Sequence, residues 1–342
     1  MGQGQKVMKA SAELTGEPLI LAVDGGQTKT VALLADASGR ILGVGQAGAS
    51  DHFREAGGAE RLRAATAQVV QQCFLNSGLE LRPLACACYG ISGAQEAMRP
   101  ILEETTPAEK LLLVHDTVNA HMGAFGGQPG VIVIAGTGSC AYGVNAEGRE
   151  ARTGGWGYLL GDEGSGYWIA LRALSAITKA ADGRGRPTRL TEGILRALKV
   201  PNLIALHAKM YYDTPPRPET ARLATVVAEA AAAGDAVARE IMLAAAQELA
   251  AASAAVLRQL GMLSEPAQVA MVGGIAQAGP VILEPFRAAL QAEAPLARVV
   301  PPRFPPVVGS LLLALQALGI ALAPSVFDQI TATMPHLSGG TS

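Results

Sequence analysis

The chain has 342 residues, 49% of them hydrophobic, 16% charged and only 4% aromatic, with 40 glycines and a formal net charge of −2. That length supplies two cores, the hydrophobicity excludes disorder as the main state, and no cationic excess exists to displace counterions from nucleic acid. Four cysteines (Cys73, Cys86, Cys88, Cys140) are too few for a disulfide framework. With no further Cys/His pair at ligand spacing, they read as buried small hydrophobes. Residues 1–16 lack the apolar core of a secretion signal, and charges interrupt the Ala-rich stretch 221–260. A cytoplasmic protein without nucleic-acid or membrane partners is expected.

In chain order, residues 18–24 form an apolar strand ending at Gly25-Gly26, residues 28–35 a second, and 41–44 a third after Ser38-Gly39. Leu62, Ala65, Val69, Val70 and Phe74 recur at helical spacing over 60–77, with Gly78 as the stop. Two short buried strands, 85–91 and 110–115, precede a helix over 117–125. The opening then repeats: strand 131–135, the turn Gly136-Thr137-Gly138-Ser139, strand 140–144, a hairpin turn, and strand 149–153. Two meanders broken after their first strand imply a duplicated architecture. Helices over 220–233 and 235–260 follow, the second capped by Asp235. Strand 268–272 ends at Gly273-Gly274. The Pro-rich segment 295–306 reads as a linker, 307–322 as a closing helix, and 325–342 as a polar tail matching the one at 1–16.

Chemistry concentrates in the turns. Asp24-Gly25-Gly26-Gln27-Thr28-Lys29-Thr30 places an acid at a strand end before two glycines, which suits backbone N–H groups on phosphate with the carboxylate facing Mg²⁺, or an ordinary β-turn. Gly136-Thr137-Gly138-Ser139 repeats the device at the start of the second half. Asp116, between a strand and a helix, either accepts a hydroxyl proton or caps the helix. Residues 154–168 hold both tryptophans and the acids Asp162 and Glu163, a composition suited to a polyhydroxylated ligand. Gly273-Gly274-Ile275-Ala276-Gln277 would let a base or ribose lie against backbone. Asp51-His52-Phe53 belongs to a loop facing the same cleft. His115 and His121 form no metal spacing and read as structural.

These residues, in this order, resemble the actin-like ATPase superfamily, and more narrowly the N-acetylglucosamine kinases of the BadF/BadG/BcrA/BcrD ATPase family, over roughly residues 18 to 322. The resemblance implies an α/β fold of two ribonuclease-H-like domains with a nucleotide cleft between them. One domain would span 17–126 joined by the closing helix 307–323, the other 127–306. It implies a homodimer using ATP and Mg²⁺ to phosphorylate an amino sugar at its 6-hydroxyl. Asp24, Gly25, Gly26, Thr28 and Lys29 then form the first phosphate motif, with Asp24 facing the metal through water; Gly136, Thr137 and Gly138 form the second. Gly273, Gly274 and Gln277 line adenosine, and Asp116 is the base. Asp51, His52, Ser92, Gly93, Ser139, Gly155, Asp162 and Glu163 line the sugar, with hinges near 126–130 and 307–309. Two departures stand out: Asp51 replaces a usual Asn, and Thr153 replaces a Cys of the animal enzymes. The extra carboxylate would favour a cationic amine, hence glucosamine. The rivals are an ATPase activator of an acyl-CoA dehydratase or reductase, which holds an iron–sulfur cluster through cysteines, and a sugar-sensing regulator of transcription, which needs a DNA-binding segment.

Overall fold

The computed structural model describes residues 17–51 and 53–335. The chain opens on β1 (Leu19–Gly25), β2 (Thr30–Asp36) and β3 (Ile41–Ala47), then α1 (Gly58–Ser77), β4 (Leu84–Ile91), α2 (Arg99–Thr105), β5 (Ala108–His115) and α3 (Asp116–Phe125). The second series starts with β6 (Gly130–Ala135), β7 (Ser139–Val144) and β8 (Glu150–Gly154). A helical block follows: α4 (Gly166–Ala181), α5 (Leu190–Ala197), α6 (Leu203–Tyr212), α7 (Arg217–Ala221), α8 (Leu223–Ala232) and α9 (Ala236–Leu260). The chain closes with β9 (Ala267–Val272), α10 (Pro280–Glu293), β10 (Ala297–Val299), α11 (Pro306–Ala317) and α12 (Pro324–Thr333).

The two sheets have the orders β3-β2-β1-β4-β5 and β10-β9-β6-β7-β8. In each, the first strand pairs antiparallel with the next (β1/β2, β6/β7) and parallel with a later one (β1/β4, β6/β9). The duplication expected from the two meanders is therefore present strand for strand. Strand β4, parallel to both neighbours, is buried along its whole length because helices cover both faces, whereas edge strand β3 alternates buried with partly buried positions.

Helices α1 and α2 bury Leu62, Val69, Phe74 and Leu102 against Leu21, Val23 and Tyr89 on one face of the first sheet. Helices α11 and α12 bury Leu311, Leu315, Phe327 and Ile330 against Ile20, Ala22 and Cys88 on the other. The 25-residue helix α9 is long and apolar enough to span a bilayer by composition, but Met242, Leu249 and Leu257 are buried in the second core. Helix α3 crosses over: it follows the first sheet in sequence yet packs Ala120, Ala124 and Phe125 on Ile132, Tyr142 and Ala270 of the second. Helices α3 and α11 touch through backbone, for a Cβ on Gly309 would collide with the Asn119 carbonyl oxygen, and one on Gly123 would lie 2.8 Å from that of Pro305.

Three expectations are corrected. Residues 325–333 are no tail: Val326, Phe327 and Ile330 share one helical face and dock on the first core, and Thr333 Oγ1 accepts from the Ile41 N–H at 2.9 Å. The segment 295–306 is no linker, since β10 pairs with β9 and Phe304 stacks on Phe327 at 6.2 Å. The closing helix stops at Ala317, where Gly319 turns the chain at φ 78°. The segment 1–16 lies outside the described residues.

The α3–α11 crossing makes a stability prediction. Gly309→Ala, despite alanine's better helix propensity, should lower the unfolding free energy by roughly 1–3 kcal/mol. Gly48→Ala, which has open space around it, should change little. Urea unfolding of the two variants against the parent measures the difference.

Candidate active site

Strand β1 delivers Asp24 to its C-terminal end, half-buried. The amide of Asn119 donates from Nδ2 to Asp24 Oδ1 at 3.0 Å and to the Pro306 carbonyl at 3.3 Å, tying β1, α3 and α11 together. Asn119 is fully buried, and a Cβ on Gly90 would occupy its place. Burial pushes the Asp24 carboxyl up to about 6, and the negative charge of Asp116 adds to this, against the Asn119 bond and the Lys29 charge. Asp116 and Asn119, three residues apart, share the helix face turned toward Asp24.

Asp116 is the first residue of α3, where helix-terminus N–H groups favour negative charge. It does not cap the helix. His115 holds that position, with Nδ1 3.3 Å from Thr117 N and 3.1 Å from Thr117 Oγ1. The alternative reading of Asp116 as a cap is thereby removed, and His115 takes that structural role; its Nδ1 also lies 2.6 Å from Asp116 Oδ1. That contact lacks hydrogen-bond direction, so Oδ1 remains without a hydrogen-bond partner.

The first glycine turn closes through Gly26 N to Lys29 O at 3.0 Å, leaving Thr28 and Lys29 exposed. The loop carrying Asp51 is stitched onto it: Ser50 N donates to Gly26 O at 3.3 Å, and Thr30 Oγ1 to Gly48 O at 2.7 Å. Asp51 itself is buried. Ser92 N donates to Gly25 O at 2.9 Å, bringing Ser92-Gly93 from the end of β4 to the same place. Buried polar atoms without hydrogen-bond partners gather here: Ser50 Oγ, Gln27 Oε1, Asn119 Oδ1 and Asp116 Oδ1. Such atoms are costly in a closed core and point to a polar ligand. His52 lies outside the described residues.

In the second half, Gly136-Thr137 docks on the start of α4, whose Gly166 N–H donates to Gly136 O at 2.8 Å. A Cβ on Gly138 would meet Asp162 Oδ2 at 2.8 Å, and Ser139 N donates to Asp162 Oδ1 at 3.3 Å. Ser139 Oγ donates to the Glu163 carbonyl at 2.7 Å, while the Glu163 side chain is exposed. Asp162 is buried in the left-handed region at φ 57°, a strained choice for a side chain this size. Burial raises its pKa, against the Ser139 N–H and the Arg217 charge. Arg217 reaches it at 3.5 Å while lying 4.4 Å over the ring of Tyr158. Pairing of Ile134 with Val272 sets Gly273-Gly274 beside Ala135-Gly136, so the second and third glycine turns abut; Gln277 is exposed.

Arg152 of β8 joins the halves. Its Nη1 lies 3.2 Å from His115 Nε2, and its Nη2 donates to the Gly155 carbonyl at 3.3 Å. Gly155 N donates to Ser139 O at 3.0 Å. A Cβ on Gly155 would meet Arg152 Nη2 at 2.7 Å and Cys140 Sγ at 3.3 Å, so Arg152 also abuts the second glycine turn. Burial pushes the Cys140 thiol up to about 11. From Gly155 the chain runs through the exposed Trp156, Leu159 and Leu160. All four cysteines are buried, with thiols held protonated by desolvation, a poor state for iron–sulfur ligation. Sequence reasoning missed Asn119, Arg152 and Arg217. Only Asn119 left a signal, its spacing from Asp116.

The Asp24 environment fixes a pH dependence. Its carboxyl moves from 3.8 to about 6 on folding, so the folded chain keeps a proton that the unfolded chain has lost. That contribution to stability is complete below about pH 4 and vanishes as pH rises through 6. Asp24→Asn should therefore exceed the parent by on the order of 2 kcal/mol at high pH and by nothing at low pH. Urea unfolding near pH 8 and near pH 4 checks this; a pH-independent gap would mean an ordinary carboxyl.

The chain as a whole has counterparts among known proteins. The chain is 30% identical over 300 residues to the N-acetylmuramic acid/N-acetylglucosamine kinase of Clostridium acetobutylicum, covering 86% of this chain and 97% of that protein. It is 27% identical to the N-acetyl-D-glucosamine kinase of Dictyostelium discoideum, over 87% of this chain and 98% of the other. A Chromobacterium violaceum structure assigned as an N-acetylglucosamine kinase superposes with a TM-score of 0.73 at 29% identity, covering 88% of this chain and 99% of that one. That likeness carries the expected two-domain actin-like ATPase fold. The pattern of the BadF/BadG/BcrA/BcrD ATPase family matches residues 21–314, and the chain belongs to that family.

Proposed function

We propose that this protein is an ATP-dependent amino-sugar kinase that phosphorylates the 6-hydroxyl of N-acetylglucosamine. The observation that carries the reading is the meeting of Asp24, Asn119 and Asp116 from the first half with the Gly138–Asp162 corner of the second, linked by Arg152. The polyphosphate lies between the turns at Gly25-Gly26-Thr28-Lys29 and Gly136-Thr137-Gly138, with adenosine along Gly273-Gly274 and Gln277. Asp51, His52, Ser92, Gly93, Ser139, Gly155, Asp162 and Glu163 surround the sugar. Domains spanning 17–126 with 307–323, and 127–306, close on both ligands and exclude water.

Asp116 Oδ1, unspent in hydrogen bonding, orients the sugar hydroxyl and takes its proton as that oxygen attacks the γ-phosphorus. The bond to the β–γ bridging oxygen breaks, and ADP leaves with the electron pair. Helix-terminus and turn N–H groups stabilise the charge that spreads over the transferring group. The residues fit a divalent cation: Asp24 carries a carboxyl whose ionisation burial and Asp116 both oppose, a penalty that a nearby cation relieves. Mg²⁺ held there through water would supply positive charge to the polyphosphate. A buried carboxylate at Asp51 favours a second acceptor, glucosamine, whose ammonium it would pair. The buried, protonated thiols weigh against the dehydratase-activator alternative.

A coupled ADP-release assay with N-acetylglucosamine, glucosamine, N-acetylmuramic acid, glucose and no sugar tests the reading. ADP release should require an amino sugar; release independent of sugar defeats the kinase assignment. Asp116→Asn should cut turnover by about 10²-fold or more while sugar affinity, read by calorimetry, stays within a few-fold. Near-normal turnover would remove Asp116 as the base.

A further inference from the structure

We infer that His115 and Arg152 form a positioning relay that holds Asp116 in register with the sugar-binding loop. The inference rests on the reading of Asp116 as the base. Arg152 is an obligate donor, so Nε2 of His115, 3.2 Å from its Nη1, must present a lone pair. The proton of a neutral imidazole then sits on Nδ1. On the other side of the ring two neighbours compete for Nδ1, the Thr117 N–H that donates to it in the cap and the Asp116 carboxylate, which favours the proton. Nδ1 stands 2.6 Å from Asp116 Oδ1, where a lone pair against a carboxylate would be repulsive and an N–H attractive. With the proton there, Thr117 Oγ1 at 3.1 Å accepts it, and the cap bond that Thr117 N donates to Nδ1 at 3.3 Å in the opposite tautomer is given up. The positive edge of the ring thus lies along Asp116 without consuming Oδ1, which stays open toward a substrate hydroxyl.

The relay crosses the halves of the molecule. His115 ends β5 in the first sheet and Arg152 belongs to β8 in the second. The same guanidinium donates to the Gly155 carbonyl at 3.3 Å, at the entry to the loop that carries Asp162. Movement of that loop or of the second half therefore reaches the base through two contacts. A base displaced by a fraction of an ångström loses rate rather than affinity, so the relay ties proton abstraction to correct seating of the sugar.

The test uses the full-length enzyme with steady-state kinetics. His115→Ala and Arg152→Met should each lower kcat roughly 10- to 100-fold, with KM for the sugar within about three-fold. His115→Asn, which keeps an N–H near the Nδ1 position, should recover to within a few-fold of the parent. The double variant His115→Ala/Arg152→Met should be no worse than the poorer single one, because both act through one chain of contacts. Multiplicative losses, a rise in KM that accounts for the loss, or His115→Asn as slow as His115→Ala would each overturn the relay. Asp116→Asn, run alongside, separates the two ideas: an active Asp116→Asn refutes the base, whereas an inactive one with a normal His115→Ala refutes only the relay.

Discussion

The rest of the site depends on how closely α3 and α11 approach. With Gly309 and Gly123 at the crossing, backbone meets backbone, and Asn119 is pressed against β1, where it can serve Asp24. Ser310 of α11 adds a buried bond from its Oγ to the Val23 carbonyl at 2.7 Å, one residue before Asp24. The helix that carries Asp116 is thus located by the first sheet through Asn119 and by the second through Ala120, Ala124 and Phe125. A side chain at position 309 would push α3 outward, and the two acids would part.

Electrostatics explain why so buried an arrangement survives. Burial opposes the ionisation of Asp24, and the negative charge of Asp116 adds to the cost. Asn119 offsets part of it with one amide bond and leaves its own Oδ1 unmet. A folded core has no reason to keep two opposed acids with orphaned neighbours. A site that receives cation-bearing phosphate and a hydroxyl donor does, because the ligand supplies the missing partners. The same reasoning covers Asp162, strained at φ 57° and buried, with Arg217 held over Tyr158 as its counter-charge.

The fold was legible because its signals are local. Two apolar runs followed by small residues announced the repeated meander, and Asp235 caps α9 as expected by accepting from Ala238 N at 2.9 Å. What escaped were partnerships set by distant chain. Helix α12 sits where Thr333 meets Ile41, and β10 is a strand only because Ala267–Val269 offers an edge. At the site, the acids and glycines were visible as residue types at strand ends. The groups that tune them were not. Asn119 is 95 positions from Asp24, and Arg152 is 37 from His115, so no periodicity connects either pair.

The duplication also explains why the halves do different work. Each central strand ends at a glycine turn beside a parallel neighbour, giving two equivalent turns, the proposed phosphate sites. Only the first strand ends in an acid; the equivalent end of β6 is Ala135 followed by Gly136. The second half presents its acid instead at Asp162, which the long connection between β8 and α4 returns to the turn at Gly138. In the proposed reading, one fold used twice thus yields a metal-and-base side and a sugar side. Their junction joins the polar contact between Arg152 and His115 to an apolar seam, where Ala120, Ala124 and Phe125 of α3 pack on Ile132, Tyr142 and Ala270. A shift of the halves would therefore disturb buried area and, through the proposed relay, the base as well.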